Sequence, residues 1–170
     1  MFSDSINYKP SRISIFVHMW IYPDSQNADY SKIFNGDVEE YLDSKKLEGP
    51  CFKMIVTSPP YNIGKEYETR TTLEEYLKWQ TRLINKMHAL LMDGGSLCWQ
   101  VGNHVDNGAI TPLDIAFHSI FESLGLKLRN RIVWKFGHGL HAKRRFSGRY
   151  EVVMWYTKGD DYTFNLDAVR

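Results

Sequence analysis

The clearest hydrophobic pattern in the chain predicts an amphipathic helix that begins near residue 72. Thr71 or Thr72, with Glu74 or Glu75 three residues later, forms a capping box at its start. Residues 93–95, Asp-Gly-Gly, end the pattern. The apolar side chains that recur at helical spacing are Leu73, Tyr76, Leu77, Leu83, Ile84, Met87 and Leu91.

A second helix is predicted to begin at Thr111-Pro112, with proline at its first position, and to end at Gly125. Its apolar side chains are Leu113, Ala116, Phe117, Ile120 and Phe121. Short apolar runs at residues 52–56 and 96–101 predict buried strands, one before and one after the first helix. Because strands alternate with helices, we expect an α/β fold with a mostly parallel sheet.

The pattern changes to strict alternation in residues 126–136, where apolar and basic positions interleave and Asn130 breaks the apolar row. This alternation predicts a strand with one buried and one basic face, with its apolar side at Leu126, Leu128, Ile132, Trp134 and Phe136. A further strand at residues 150–157 follows a loop rich in glycine, histidine and arginine. We expect the two strands to form an antiparallel hairpin at the sheet edge. The three strand tryptophans, Trp99, Trp134 and Trp155, are predicted to lie in the core.

Directly after the first apolar strand comes Thr57-Ser58-Pro59-Pro60-Tyr61-Asn62, called here the Pro-Pro loop. Each proline fixes its own φ and keeps the residue before it extended, so the Ser58 hydroxyl and the Pro59 carbonyl form a preset pair of hydrogen-bond acceptors. Tyr61 adds a flat aromatic face. Alone, the string also suits a surface turn or a polyproline ligand. Its position between a strand and a helix instead favours a ligand crevice at the carboxyl end of a sheet.

Three segments resemble one family: Phe34-Asn35-Gly36-Asp37, the Pro-Pro loop, and residues 148–165 around Glu151. From about Phe34 the chain resembles the β-class DNA amino-methyltransferases, which methylate cytosine at N4 or adenine at N6 with S-adenosylmethionine. The resemblance implies a Rossmann-like methyltransferase fold that acts on a base flipped out of double-stranded DNA. The catalytic residues it implies are Ser58, Pro59, Pro60 and Tyr61, and the cofactor-binding residues are Asp37 and Ser58.

The resemblance leaves several alternatives open. Asp37 is equally suited to cap a helix that starts at Val38. The family's Phe-x-Gly-x-Gly cofactor turn is missing, since the one Gly-x-Gly, Gly137-His138-Gly139, follows a basic strand and precedes no helical pattern. Serine at the first loop position leans toward cytosine but leaves the base unsettled. RNA or protein amino groups are alternative substrates.

We therefore expect residues 1–33 to be an N-terminal extension and residues 34–170 to be the catalytic, base-binding part of an incomplete methyltransferase domain. That part lacks the main cofactor-binding and target-recognition segments. The alternatives are an inactive remnant and a split subunit that needs a second chain. A second chain or a homodimer would then cover the open sheet edge.

The formal net charge of +1 over 170 residues does not itself indicate DNA binding, so the prediction depends on local patches. One patch follows His138, with its cations at Lys143, Arg144, Arg145 and Arg149. We expect phosphate contacts there, although a solvated loop fits equally well. Asn62 is predicted either to shape the pocket or to contact DNA. Lys65 and Tyr67 either line the DNA path or belong to a solvated loop.

His138 and His141 have metal-ligand spacing but no cysteine or acidic partner nearby, so no metal site is predicted. Cys51 and Cys98 lack Cys-x-x-Cys spacing and indicate a reduced, cytoplasmic protein. The apolar run at residues 13–22 is too short to span a bilayer and favours a strand or an extension, so no membrane partner is expected.

Overall fold

The computed structural model describes residues 34–65, 69–137 and 142–170. Its helices are α1 (Val38–Lys45), α2 (Leu73–Leu90) and α3 (Leu113–Ser123), with short 3-10 helices at Lys46–Glu48 and Leu166–Val169. Its strands are β1 (Phe52–Thr57), β2 (Leu91–Val101), β3 (Asn103–Asp106), β4 (Ala109–Pro112), β5 (Leu126–Lys135) and β6 (Tyr150–Lys158). The predicted run at residues 13–22 lies outside the described residues. Among the helices above, none has the length and apolar character needed to cross a membrane.

Four strands form the main sheet in the order β1-β2-β6-β5. β1 is parallel to β2, whereas β6 is antiparallel to both β2 and β5. The predicted α/β class and the antiparallel hairpin at the sheet edge are confirmed. The expectation of a mostly parallel sheet is wrong for the described strands. The sheet is mixed because β6 lies between β2 and β5 and makes two antiparallel pairings.

The predicted capping box fixes the start of α2. The Thr72 hydroxyl accepts a hydrogen bond from the Glu75 amide at 3.2 Å, and the Glu75 carboxylate accepts one from the Thr72 amide at 3.1 Å. The helix ends at Leu90, earlier than the Asp-Gly-Gly signal suggested, because Leu91 already pairs with Phe52 in the sheet. The register then shifts before β2 continues at Ser96.

Aromatic side chains fill the core between the helices and one face of the sheet. Trp99 on β2 packs edge-on against Phe117 and Phe121 of α3, with ring centroids 5.7 and 5.6 Å apart. Phe121 stacks in turn on Tyr156 of β6 at 4.5 Å. These contacts confirm Trp99 as a core residue and bind α3 to the two central strands.

The other side of the sheet is apolar but exposed, and we call it the open face. It carries Met54 and Val56 of β1 and Ile132 and Trp134 of β5, which are 43, 45, 48 and 59% exposed. No helix among the described residues covers these side chains. The predicted burial of Ile132 and Trp134 is wrong, because a register shift between Leu128 and Asn130 turns them to the face opposite Leu128. Trp155 is half-buried, since Phe164 stacks on it at 5.4 Å.

β3 and β4 form a hairpin that the sequence analysis did not predict. Its turn is Asn107-Gly108, with φ angles of 48° and 82°, a pair of positive values that this dipeptide adopts readily. The hairpin places His104 beside the Pro-Pro loop. It also moves the start of α3, so that Pro112 is the N-cap residue and not the first helical residue.

Candidate active site

The Pro-Pro loop follows the carboxyl end of β1. Because β2 runs parallel to β1, the carboxyl end of β2 and residue Gly102 lie at the same edge of the sheet. β6 starts at this edge and β5 ends there, since Val152 pairs with Val101 and Lys135 pairs with Tyr150. The expected position of the loop at the strand tips is confirmed. The connection from β5 to β6 lies along the same edge.

Side chains from α2 and β3 hold the backbone of the loop. The buried hydroxyl of Tyr76 donates a hydrogen bond to the carbonyl oxygen of Pro60 at 2.6 Å. Nδ1 of His104, a buried residue of β3, lies 3.4 Å from the carbonyl oxygen of Tyr61, to which a protonated Nδ1 donates. These two contacts make the loop rigid before any ligand arrives. The sequence did not reveal them because both partners are distant along the chain.

The side chain of Asn62 ties the Pro-Pro loop to the backbone of Thr71. Its side-chain amide donates to the carbonyl of Thr71 at 2.8 Å, and its side-chain oxygen accepts from the Thr71 amide at 2.8 Å. The residue is only 2% exposed and has a φ of 56°, a conformation that asparagine tolerates better than most residues. We therefore correct its predicted place among the DNA-contacting residues. Asn62 shapes the loop and presents no surface to DNA in this structure.

Ser58 and Tyr61 lie at the accessible part of the loop. The Ser58 side chain is exposed, and its hydroxyl lies 3.2 Å from the hydroxyl of Tyr61, where either oxygen can donate. Pro59 and Pro60 are buried beneath them, and the Tyr61 ring is half-buried. If Tyr61 accepts the Ser58 proton, the lone pairs of the Ser58 oxygen are left for an incoming N–H group.

Gly102 is the surface against which the Tyr61 ring rests. A Cβ atom placed on Gly102 would lie 3.1 Å from Cε2 of Tyr61 and 3.7 Å from Cγ of Glu151. The Glu151 carboxylate accepts a hydrogen bond from the Gln100 side chain at 2.6 Å, between β6 and β2. An acidic group therefore lies close to the Tyr61 ring. No role for Glu151 could be predicted from the sequence, because its neighbours depend on the register of the two strands.

Gly102 also lines a cleft of about 140 Å³. Tyr150 and Glu151 line one wall, and the ion pair between Arg131 and Asp114 forms its polar part. Asp114 is buried, so the guanidinium of Arg131 neutralises a charge that would otherwise be costly to bury. The cleft continues the accessible edge from the Pro-Pro loop toward β5.

Asp37 is the N-cap residue of α1. One of its carboxylate oxygens accepts hydrogen bonds from the amides of Glu39 at 2.8 Å and Glu40 at 3.3 Å. This arrangement is the helix cap that the sequence left open as an alternative. Its second oxygen makes no hydrogen bond within the described residues. The cofactor role of Asp37 stays a prediction.

The basic loop, defined as residues 142–149, joins β5 to β6. Lys143, Arg144 and Arg145 are exposed and Arg149 is half-buried. A guanidinium nitrogen of Arg149 donates to the carbonyl of Gly137 at 3.2 Å, which ties the two ends of the connection together. The structure thus brings these cations to the edge that carries the Pro-Pro loop. Their contact with DNA stays a prediction.

The sequence also singled out Lys65, Tyr67, two histidines and two cysteines. Lys65 is exposed, while Tyr67, His138 and His141 lie outside the described residues. In the part of the chain that the structure describes, no three potential metal ligands come together. Cys51 and Cys98 are free thiols, and burial raises the pKa of Cys98 to about 11. At neutral pH its thiol is protonated and therefore a weak nucleophile.

Comparison with known families and sequences agrees with these features. A family model described as DNA methylase, for N6 and N4 methyltransferases, matches residues 52–170. The type II methyltransferase M.BglII of Bacillus subtilis is 51% identical over 141 residues, covering 82% of this chain and 39% of M.BglII. The type II methyltransferase M.ScaI of Streptomyces caespitosus is 34% identical over 141 residues, covering 81% of this chain and 45% of M.ScaI. The chain thus spans less than half the length of either relative.

A solved structure resembles the fold. The DNA modification methylase TTHA0409 of Thermus thermophilus superposes with a TM-score of 0.59 at 25% identity. The match covers 78% of this chain and 55% of TTHA0409. A second structure of TTHA0409, complexed with S-adenosylmethionine, superposes with a TM-score of 0.58 at 24% identity.

Proposed function

The chain belongs to the DNA methylase family of N6 and N4 methyltransferases, and from this membership we propose that it transfers a methyl group to a DNA base. The acceptor is an exocyclic amino group, cytosine N4 or adenine N6, of a flipped nucleotide. S-adenosylmethionine supplies the methyl group as a sulfonium. The observation that carries the proposal is the rigid Pro-Pro loop at the strand tips, with the Ser58 hydroxyl exposed beside the Tyr61 ring.

The chemistry explains why the acceptors must be rigid. An exocyclic amino nitrogen is a weak nucleophile because its lone pair is delocalised into the ring. Hydrogen bonds from its N–H groups to the Ser58 hydroxyl and the Pro59 carbonyl favour the tetrahedral geometry in which that lone pair attacks. Since Tyr76 and His104 already fix the loop, little reorganisation is needed when charge develops. Pro60 keeps the loop extended, and no covalent enzyme intermediate is required.

Tyr61 is proposed to stack on the extruded base, which replaces part of the stacking that the base loses. Ser58 and Asp37 are proposed to contact the cofactor. Both fit that role, since the Ser58 hydroxyl is exposed and one Asp37 oxygen is free to accept a hydrogen bond. The cations at Lys143, Arg144, Arg145 and Arg149 are proposed to contact the phosphates of double-stranded DNA.

We further propose that residues 34–170 are the catalytic, base-binding part of a longer methyltransferase domain, preceded by an extension at residues 1–33. The open face supports this division, because large exposed apolar patches usually mark surfaces that another part of a protein covers. A split subunit that pairs with a second chain, or a homodimer, is the second candidate on the same observation. A DNA substrate and two free thiols favour the cytoplasm.

Transfer of label from S-adenosylmethionine with a tritiated methyl group tests the substrate class. The protein in its full reading frame is incubated separately with duplex DNA, RNA and a protein mixture, and the Ser58→Ala variant serves as the control. We expect label in N4-methylcytosine or N6-methyladenine of DNA. Label confined to RNA or protein would refute the DNA assignment.

Calorimetric titration of the 170-residue chain with S-adenosylmethionine tests the domain division. If the main cofactor-binding segments lie outside the chain, binding should be much weaker than micromolar. Micromolar binding by the chain alone would contradict the division and would also count against the split subunit.

A further inference from the structure

The basic loop carries an aromatic side chain that contacts almost nothing. Phe146 is 99% exposed, more than any other large hydrophobic residue that the structure describes. It lies at the tip of a turn closed by a hydrogen bond from the Ala142 amide to the Ser147 hydroxyl at 3.2 Å. The Phe146 carbonyl accepts from the Arg145 guanidinium at 3.4 Å, so the backbone is held while the ring projects into solvent.

The charge around Phe146 indicates which kind of partner this loop fits. Lys143, Arg144, Arg145 and Arg149 form no ion pair within the described residues, and residues 142–149 contain no carboxylate. Cations elsewhere, such as Arg129 and Lys127 on the neighbouring strand, share the carboxylate of Asp160. Unpaired cations flanking an aromatic ring, with no carboxylate among them to meet the cations of a protein partner, are suited to phosphates and stacked bases. DNA is therefore favoured over a protein as the partner.

The position of the loop links it to the catalytic edge. The basic loop leads into β6, which lies two strands away from β1 and the Pro-Pro loop. At the usual strand spacing this separation is about 10 Å, less than the width of a DNA duplex. One duplex lying along this edge can therefore meet both loops at once.

We propose that Phe146 inserts into the base stack of DNA beside the extruded nucleotide. The ring fills the space that the target base leaves, while the four cations hold the flanking phosphates. Apolar and aromatic wedges of this kind unstack base steps in other DNA-bending proteins. The inference rests on the proposed DNA substrate and adds to it a residue that favours the flipped state without touching the reacting atoms.

The experiment uses the protein in its full reading frame and a mixed-sequence duplex with one abasic site opposite 2-aminopurine, a base whose fluorescence falls when it is stacked. We expect Phe146→Ala to weaken binding to this duplex by roughly tenfold or more and to abolish the fluorescence change. Phe146→Trp, which keeps a flat ring, should restore both. The dependence of binding on salt should stay as in the unaltered chain, whereas Arg145→Gln should reduce the salt slope by about 1.

The outcomes separate the wedge from the proposed function. If Phe146→Ala binds the abasic duplex with unchanged affinity and fluorescence, the proposed insertion of Phe146 is wrong, whereas the proposed DNA substrate still stands. If the unaltered protein in its full reading frame binds no DNA, both proposals fail. If Phe146→Ala instead abolishes self-association in sedimentation, Phe146 is a protein contact and the wedge is again wrong. Thermal unfolding of each variant confirms that the fold is retained, as the exposed position of Phe146 predicts.

Discussion

At the scale of single residues, the absence of a side chain at position 102 sets the position of the Tyr61 ring. In Gly102→Ala, the new Cβ would lie 3.1 Å from the ring and push it by a few tenths of an ångström. We expect the single-turnover rate of methyl transfer to fall roughly tenfold, since small misplacements at a reacting centre are costly. The free energy of unfolding should fall by only about 1 kcal/mol.

The matched control is Gly137→Ala, because nothing lies within 4 Å of a Cβ at that position. It should change neither the single-turnover rate nor the free energy of unfolding. Equal rates for the two variants would show that the position of the Tyr61 ring does not limit catalysis.

Cys98 gives a prediction on pH. Burial raises the pKa of its thiol from an ordinary 9.0 to about 11 in the folded protein. Between these values the unfolded chain loses the proton while the folded protein keeps it, so the free energy of unfolding falls as pH rises. The loss reaches on the order of 2 kcal/mol above a pH of about 11.

Urea unfolding at about pH 8 and about pH 10.5, on either side of the ordinary thiol pKa, measures this effect. Because lysines and tyrosines also titrate in this range, the relevant quantity is the difference between the unaltered chain and Cys98→Ala. We expect the variant to lose less stability over the interval. The same loss in both proteins would contradict a protonated, buried thiol.

At the scale of elements, the capping box of α2 positions the catalytic loop. Tyr76, whose hydroxyl holds the Pro60 carbonyl, lies in the first turn of the helix that Thr72 caps. Thr72→Ala should lower the free energy of unfolding by about 1 kcal/mol and should reduce methyl transfer as the first turn frays. Thr72→Ser retains the capping oxygen and should behave like the unaltered chain in urea unfolding and in the transfer assay. A loss of stability with unchanged methyl transfer would show that the cap does not affect the position of the Pro-Pro loop.

How far the elements could be predicted depended on whether their signals were local. The capping box of α2 and the alternation of β5 could be read from neighbouring residues, and both elements were found. The register shift that turns Ile132 to the face opposite Leu128 left no such pattern. The β3–β4 hairpin was missed although Asn107-Gly108 is a strong turn signal. The end of α2 was misplaced because the pairing of Leu91 with Phe52 depends on a distant strand.

In the candidate site, too, local patterns could be read from the sequence and contacts between distant residues could not. The sequence placed the Pro-Pro loop after a strand, and the structure confirms that position. The contacts that hold the loop, from Tyr76 and His104, join residues far apart in the chain and left no local pattern. The burial of Asn62 depends on the fold around Thr71, so the sequence could not show that this side chain is shielded from DNA.

At the scale of the whole molecule, the open face predicts self-association of the isolated chain. Large exposed apolar patches usually mark interaction surfaces. We expect sedimentation velocity to show a species larger than a monomer whose population rises with concentration. Ile132→Lys, which places a charge on the open face, should shift the population toward monomer.

Val133→Lys is the matched control, because Val133 is similarly exposed but points to the opposite side of the same strand. It should leave the association unchanged. Equal effects of the two substitutions would show that the contact surface is the strand edge and not the open face.

We propose above all that the exposed Ser58 hydroxyl, held on a preformed loop, accepts a hydrogen bond from the amino group that is methylated. The most direct test is the single-turnover rate of methyl transfer from labelled S-adenosylmethionine to duplex DNA, compared between the full-reading-frame protein and its Ser58→Ala variant. We expect a loss on the order of 100-fold in rate, with DNA affinity changed by no more than a few fold. An unchanged rate in Ser58→Ala would contradict it.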